Sequence, residues 1–181
     1  MVLRTLQDIK KLAPANKPEY RMKHILITND DGFESKGLHA LAEALKPFGN
    51  ITVVAPTVEK SACGHSLTLT RPLRFIELDD DFFKLDDGTP TDCVFLALNK
   101  LFAEGSKPDL VISGINKGAN MGEDITYSGT ASAAMEAVLQ GIPAIAVSQV
   151  CIDKCQNVDD MGYDLAMQSI AALVSRIFED K

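Results

Sequence analysis

The residues His24-Ile25-Leu26-Ile27-Thr28-Asn29-Asp30-Asp31-Gly32 set the architecture of this chain. The first five form a short apolar run rich in β-branched side chains, the pattern of a buried strand. Asn29-Asp30-Asp31-Gly32 stops it with turn-forming residues. Leu38, Leu41, Leu45 and Phe48 then recur at helical spacing, and Gly49-Asn50 ends that helix. Ile51 to Ala55 is a second buried strand, stopped by Pro56. Strand, helix and strand in this order form a βαβ unit, which requires parallel strands and a right-handed crossover.

Farther along, Leu67 to Thr70 and Leu73 to Leu78 alternate like exposed or edge strands. The acidic runs Asp79-Asp80-Asp81 and Asp86-Asp87 read as a solvated face. Thr91 or Asp92 can cap a helix with apolar positions Val94, Phe95, Leu98 and Phe102. Leu110-Val111-Ile112 predicts a third buried strand, and residues 113–122 a long loop. Tyr127-Ser128-Gly129-Thr130 opens a helix with Ala131, Met135, Val138 and Leu139 on one face, closed by Gly141-Ile142-Pro143. Ala144 to Ser148 is a fourth buried strand, and Ala166, Ile170, Leu173, Val174 and Ile177 mark a terminal helix. Strands alternating with helices predict an open, mostly parallel α/β sheet covered on both faces.

The chain has 181 residues, one domain's worth, of which 46% are hydrophobic and 24% charged. That balance excludes wholesale disorder. The net charge of −7 speaks against a broad grip on duplex nucleic acid. No apolar run reaches the ~20 residues of a membrane span. No signal peptide is visible. The cysteines Cys63, Cys93, Cys151 and Cys155 lack zinc-ligand spacing and read as reduced cytoplasmic thiols. Residues 1–21 differ from the rest, with five basic against two acidic side chains and a short amphipathic pattern at Leu3, Leu6, Ile9 and Lys10. They read as an extension ahead of a domain at 22–181.

In sheets of this kind, sites lie outside the carboxyl ends of the strands. There the chain carries Asp30 and Asp31 after the first strand, Ser61 after the second and Asn116 after the third. Two converging carboxylates repel unless a cation lies between them. Carboxylate, hydroxyl and amide oxygens suit a hard divalent ion. A turn and helix cap would use the same Asp-Asp pair, so the spacing alone allows both. The glycine-rich loop 114–122 and the helix start at Ser128-Gly129-Thr130 suit an anion, through free N–H groups and the helix dipole. Lys117 reads as a solvated lysine and His65 as a hydrogen-bonding group of its loop. The glycines at 114, 118 and 122 do not spell a dinucleotide-binding fingerprint. No P-loop and no nucleophile-elbow motif appears.

The stretches ILITNDDGFESKGL, VVAPTVEKSACGHSLT, GTPTDCV, PDLVISGINKGANMGEDITYSGTASAAMEA and GIPAIAVS resemble the SurE (survival protein E) family of metal-dependent 5′-nucleotidases, over about residues 22–150. The resemblance implies a Rossmann-like three-layer α/β/α fold. It implies hydrolysis of nucleoside 5′-monophosphates to nucleoside and phosphate, with broader phosphatase or exopolyphosphatase side activity. By position, the family's ligands for one divalent cation, Mg²⁺ or Mn²⁺, fall on Asp30, Asp31, Ser61 and Asn116. Asp30 and Asp31 are the catalytic candidates; Asn29, Gly118, Asn120, Ser128, Gly129 and Thr130 are the phosphate- or substrate-binding ones. Members usually begin near Met22 and continue well past the terminal helix, with a part that completes the sheet and supports dimers and tetramers. This sequence stops at Lys181, as a fragment or a short member would. A phosphate-binding module without turnover is the alternative reading.

Overall fold

The computed structural model describes residues 22–102, 106–151, 159 and 162–179. The amphipathic pattern expected within residues 1–21 lies outside them. In chain order the elements are β1 (His24–Thr28), α1 (Lys36–Leu45), β2 (Asn50–Pro56), β3 (Arg74–Asp79), β4 (Phe82–Asp86), α2 (Pro90–Leu96), β5 (Leu110–Lys117), α3 (Gly129–Leu139), β6 (Ala144–Gln149) and α4 (Asp164–Glu179). Short 3₁₀ turns follow α1 and precede α3, and one π turn follows α2. The sheet has six strands in the order β3-β4-β2-β1-β5-β6. All neighbours are parallel except β3, which runs antiparallel to β4. The fold is the expected Rossmann-like α/β/α sandwich.

Successive residues of β1 point to opposite faces, and both faces are dry. Ile25 and Ile27 pack with Leu38, Leu41 and Leu45 of α1 and with Ile170 and Val174 of α4. Leu26 packs with Val54, Val111, Val94 of α2, and Ala133 and Ala137 of α3. This double burial is why the strand reads as an unbroken apolar run rather than an alternating one. The chain leaves β1 toward β2 on one side and reaches β5 on the other, so the strand order reverses at β1. A crevice opens at such a switch point, outside the strand ends.

Several expectations are corrected. Residues 67–70 form no strand, and Leu69 is exposed. Phe82–Asp86, between the acidic runs, is a strand that inserts between β2 and the edge strand β3. α2 is capped by Thr89, not by Thr91 or Asp92. The Thr89 hydroxyl accepts from the Asp92 N–H while Asp92 accepts from the Thr89 N–H, a reciprocal capping box with Pro90 at the first helical position. β5 runs on to Lys117 through a register shift against β6 between Ser113 and Asn116, where a loop was expected. β6 is a half-exposed edge rather than a buried strand. On α3 the expected apolar face is the outer one. Met135, Val138 and Leu139 face solvent, and the small Ala133 and Ala137 face the sheet and α2, letting the backbone come close. Leu173 of α4 likewise faces outward. Cys63 and Cys93 are free thiols, but Cys151 is disulfide-bonded, which corrects the reading of four reduced thiols. Among the described residues no helix is long and apolar enough to cross a membrane.

Candidate active site

The turn after β1 is built by Asn29. Its buried Nδ2 donates to the Gly32 carbonyl at 3.0 Å and to Ser35 Oγ at 2.7 Å. Ser35 in turn caps α1, accepting from the Leu38 N–H. Gly32 takes φ +94° with the backbone of Val58 3.3 Å from where a Cβ would stand, so a side chain there would be both strained and crowded. The reversal turns Asp30 and Asp31 out of the strand pleat and into the crevice.

Asp30 is gripped by α3. Thr130 Oγ1 donates to its Oδ1 at 2.5 Å and the Thr130 N–H to its Oδ2 at 3.1 Å. Close approach requires glycine next door: a Cβ on Gly129 would lie 2.8 Å from Asp30 Cβ and 2.9 Å from its Oδ2. Asp31 Oδ2 accepts from the Lys117 N–H at 3.2 Å, tying it to the end of β5. Burial lifts the proton affinity of both carboxyls. For Asp31 the adjacent Asp30 charge adds to burial, and its pKa is pushed up to about 6.

The loop after β2 closes the site from a third side. Its Lys60 N–H donates to the Asp30 carbonyl, and its Gly64 N–H to the Tyr127 carbonyl. His65 Nε2 lies 2.9 Å from Glu136 Oε2 on α3. The Thr68 N–H and hydroxyl both donate to Asp92. Ser61, on this loop, donates to Glu59 Oε1 at 2.5 Å. Asn116, at the far end of β5, donates from Nδ2 to the Gly118 carbonyl. Asp30, Asp31, Ser61 and Asn116 all line one cleft of about 730 Å³.

Residues 25–181 match the family model described as Survival protein SurE. The chain belongs to the SurE family. It is 72% identical over 159 residues to a protein named 5′-nucleotidase SurE from Sulfurovum sp. (strain NBC37-1), covering 88% of this chain and 60% of that protein. A second of the same name, from Aliarcobacter butzleri (strain RM4018), is 65% identical over 160 residues, covering 88% and 61%. The crystal structure of SurE protein from Aquifex aeolicus superposes with a TM-score of 0.71 at 46% identity, covering 87% of this chain and 59% of that one. The chain thus spans about three fifths of the length of the relatives it matches.

Within this SurE fold the phosphate candidates divide. Asn120 and Ser128 line the cleft. The others do not: Asn29 donates to its turn while its buried Oδ1 has no hydrogen-bond partner among the described residues, the Gly118 N–H donates to the Gln149 carbonyl, and Thr130 donates to Asp30. Ser128 caps α3 as expected, accepting from the Ala131 N–H, and Gly129 packs on Asp30. Sequence reasoning passed over Glu34, Lys36, Glu59, Asp124, Tyr127, Asp159 and Tyr163, all on the cleft wall. Glu59 stands two residues before Ser61 on the same loop, so the strand-end rule that found Ser61 also reaches it. Lys117 is not a free lysine; its ammonium pairs with Asp159 Oδ2 at 3.0 Å, and the Tyr163 hydroxyl donates to the other oxygen. Burial, and then that bond, raises the Tyr163 pKa.

The carboxylates on the wall, Asp30, Asp31, Glu34, Glu59, Asp124 and Asp159, outnumber the cations Lys36 and Lys117. Among the described residues no group of three or more His, Cys, Asp or Glu is disposed to hold a metal, so any ion here would rely on hydroxyl and amide oxygens beside the Asp pair.

Proposed function

We propose that this chain carries the site of a metal-dependent 5′-nucleotidase, which hydrolyses nucleoside 5′-monophosphates to nucleoside and phosphate and accepts other phosphomonoesters or polyphosphate ends more weakly. Kinship with proteins named 5′-nucleotidase SurE supports the reaction class. The observation that carries the reading is the unequal use of two adjacent carboxylates. Asp30 has both oxygens engaged by Thr130, whereas Asp31 accepts a single backbone bond and faces the cleft.

The donor set fits a hard divalent cation. An acidic wall would repel a phosphate dianion, and two desolvated carboxyls with raised proton affinity await a positive partner. Asp30, Asp31, Ser61 and Asn116 would hold one Mg²⁺ or Mn²⁺. The ion, when bound, supplies positive charge for a phosphoryl oxygen and makes nearby water more acidic.

The chain's own residues do the rest. Thr130 fixes the Asp30 carboxylate, so that its charge is preorganised rather than mobile. Asp31 orients the attacking water and takes its proton. Asn120, Ser128 and the first amide of α3 hold phosphate oxygens, where positioning and electrostatics dominate phosphoryl transfer. Residues 22–181 serve as one domain, the enzyme works in the cytoplasm, and it assembles as a homodimer or tetramer.

The test is phosphate release from nucleoside monophosphates with Mn²⁺ or Mg²⁺. EDTA abolishes it, and Asp31→Asn lowers turnover by about 10²-fold or more. Turnover that survives both treatments overturns the reading. Nucleotide binding without turnover would identify a binding module instead.

A further inference from the structure

Two aromatic rings line the cleft, and they differ in kind. Tyr163 is 7% exposed and its hydroxyl is bound to Asp159. Tyr127 is 63% exposed, and among the described residues neither its ring nor its hydroxyl has a partner. It is held by its backbone alone: its N–H donates to the Asp124 carbonyl and its carbonyl accepts from Gly64. Ile125 and Met121, just upstream on the 3₁₀ turn Gly122–Thr126 and its cap, are also exposed. No residue of that turn is buried. A free aromatic face thus stands on a cleft whose wall is otherwise dominated by charged and polar groups, on a segment that carries further exposed apolar side chains.

The ring also sits at a defined distance along the chain from the chemistry. Tyr127 directly precedes Ser128, the cap of α3, and the next residue, Gly129, packs on Asp30. A phosphomonoester held at Asp30 and Asp31 would carry its organic half toward one rim of the same cleft. An uncharged, flat, polarisable group is indifferent to the acidic wall, and it gains from a rigid aromatic face.

Resting on the nucleotidase reading above, we infer that Tyr127, flanked by Ile125 and Met121, is the stacking platform for the nucleobase, and so sets the preference for nucleotides over phosphate esters without a base. Ring exposure costs the free protein little, and one base–aromatic stack accounts for a preference of about tenfold.

The experiment compares a nucleoside 5′-monophosphate with ribose 5-phosphate on the full chain, with Mn²⁺ present. In Tyr127→Ala the ratio of kcat/KM for the nucleotide to that for ribose 5-phosphate falls about tenfold. Tyr127→Phe, which keeps the ring, holds the ratio within about twofold of the parent. A ratio unchanged in Tyr127→Ala overturns the inference, as does an equal loss in Tyr127→Phe, which would assign the effect to the hydroxyl. The same ratio is read from calorimetric Kd values of the two ligands, so an absence of turnover, which would sink the nucleotidase reading, leaves the platform separately decidable.

Discussion

Asp31→Asn should stabilise the cation-free protein while removing its response to a divalent ion. The Asp31 pKa is about 6 in the fold against 3.8 when free, chiefly from burial and then from the Asp30 charge. A carboxyl whose folded pKa is raised binds its proton more tightly in the native state. Stability therefore falls as pH rises between 3.8 and about 6, and the whole cost is present above that window. A rise of that size corresponds to about 3 kcal/mol, and water screening of this partly exposed group reduces it to about 1–2 kcal/mol. Asparagine carries no charge, and its Oδ1 can still accept from Lys117. For a domain of this size the gain is about 3–6 °C in Tm. Thermal melts in EDTA at about pH 7.5 should place the variant above the parent by that margin, and the gap should close toward pH 4. With Mn²⁺ added, the parent should rise and overtake the variant, because only the parent then gains an attractive partner for both charges. A variant that melts at or below the parent in EDTA at neutral pH, or a gap that ignores pH, refutes the electrostatic reasoning.

The other tests probe how the carboxylates are held. Gly129→Ala would bring a methyl 2.8 Å from Asp30 Cβ, so Asp30 or α3 must shift; a loss of about 1–3 kcal/mol in denaturant melts and a weakened Mn²⁺ response are expected. Glu136→Ala should cost about 2 kcal/mol, since it strips the partner from His65 and from Gln140 Nε2. Through the freed Ser61 loop it should also weaken Mn²⁺ binding by calorimetry, whereas Glu136→Gln, which keeps an acceptor, should restore most of that binding.

The fold was legible where local chemistry and global burial agree. Ile25, Leu26 and Ile27 announce a doubly buried strand because both sheet faces are covered, and Ser128 announces α3 because a cap needs only its own hydroxyl and the next N–H groups. The errors fall where tertiary context decides. Met135, Val138 and Leu139 carry the helical spacing of a core face, yet the small side of α3 is what the sheet admits. Phe82–Asp86 hid between acidic runs because its partners, β2 and β3, lie elsewhere in the chain. In the site, Asp30, Asp31 and Asn116 could be proposed from strand ends, whereas Ser61, on the loop after β2, is the least foreseeable of the four from physics alone. The pairing of Thr130 with Asp30, one hundred residues apart, could not. Neither could the Glu136–His65 strut, since a buried glutamate on a helix looks in sequence like any solvated one.

On the proposed nucleotidase reading, this geometry would also explain how a chain of net charge −7 serves an anionic substrate. A basic pocket would bind phosphate in ground state and product alike, and uniform binding does not speed the chemical step. An acidic cleft would instead leave the phosphate unattractive until a cation is seated, so that affinity for substrate would be conditional on the group that assists the reaction. On that reading, the desolvated Asp30 and Asp31 would be costly alone and favourable together with the ion, which would couple cation binding to stability and to substrate binding through one pair of side chains. Loss of the cation should therefore lower Tm and nucleotide affinity together, in the same titration and with the same midpoint. If the two midpoints separate, the carboxylate pair is not the shared link, and nucleotide is held by some other part of the cleft.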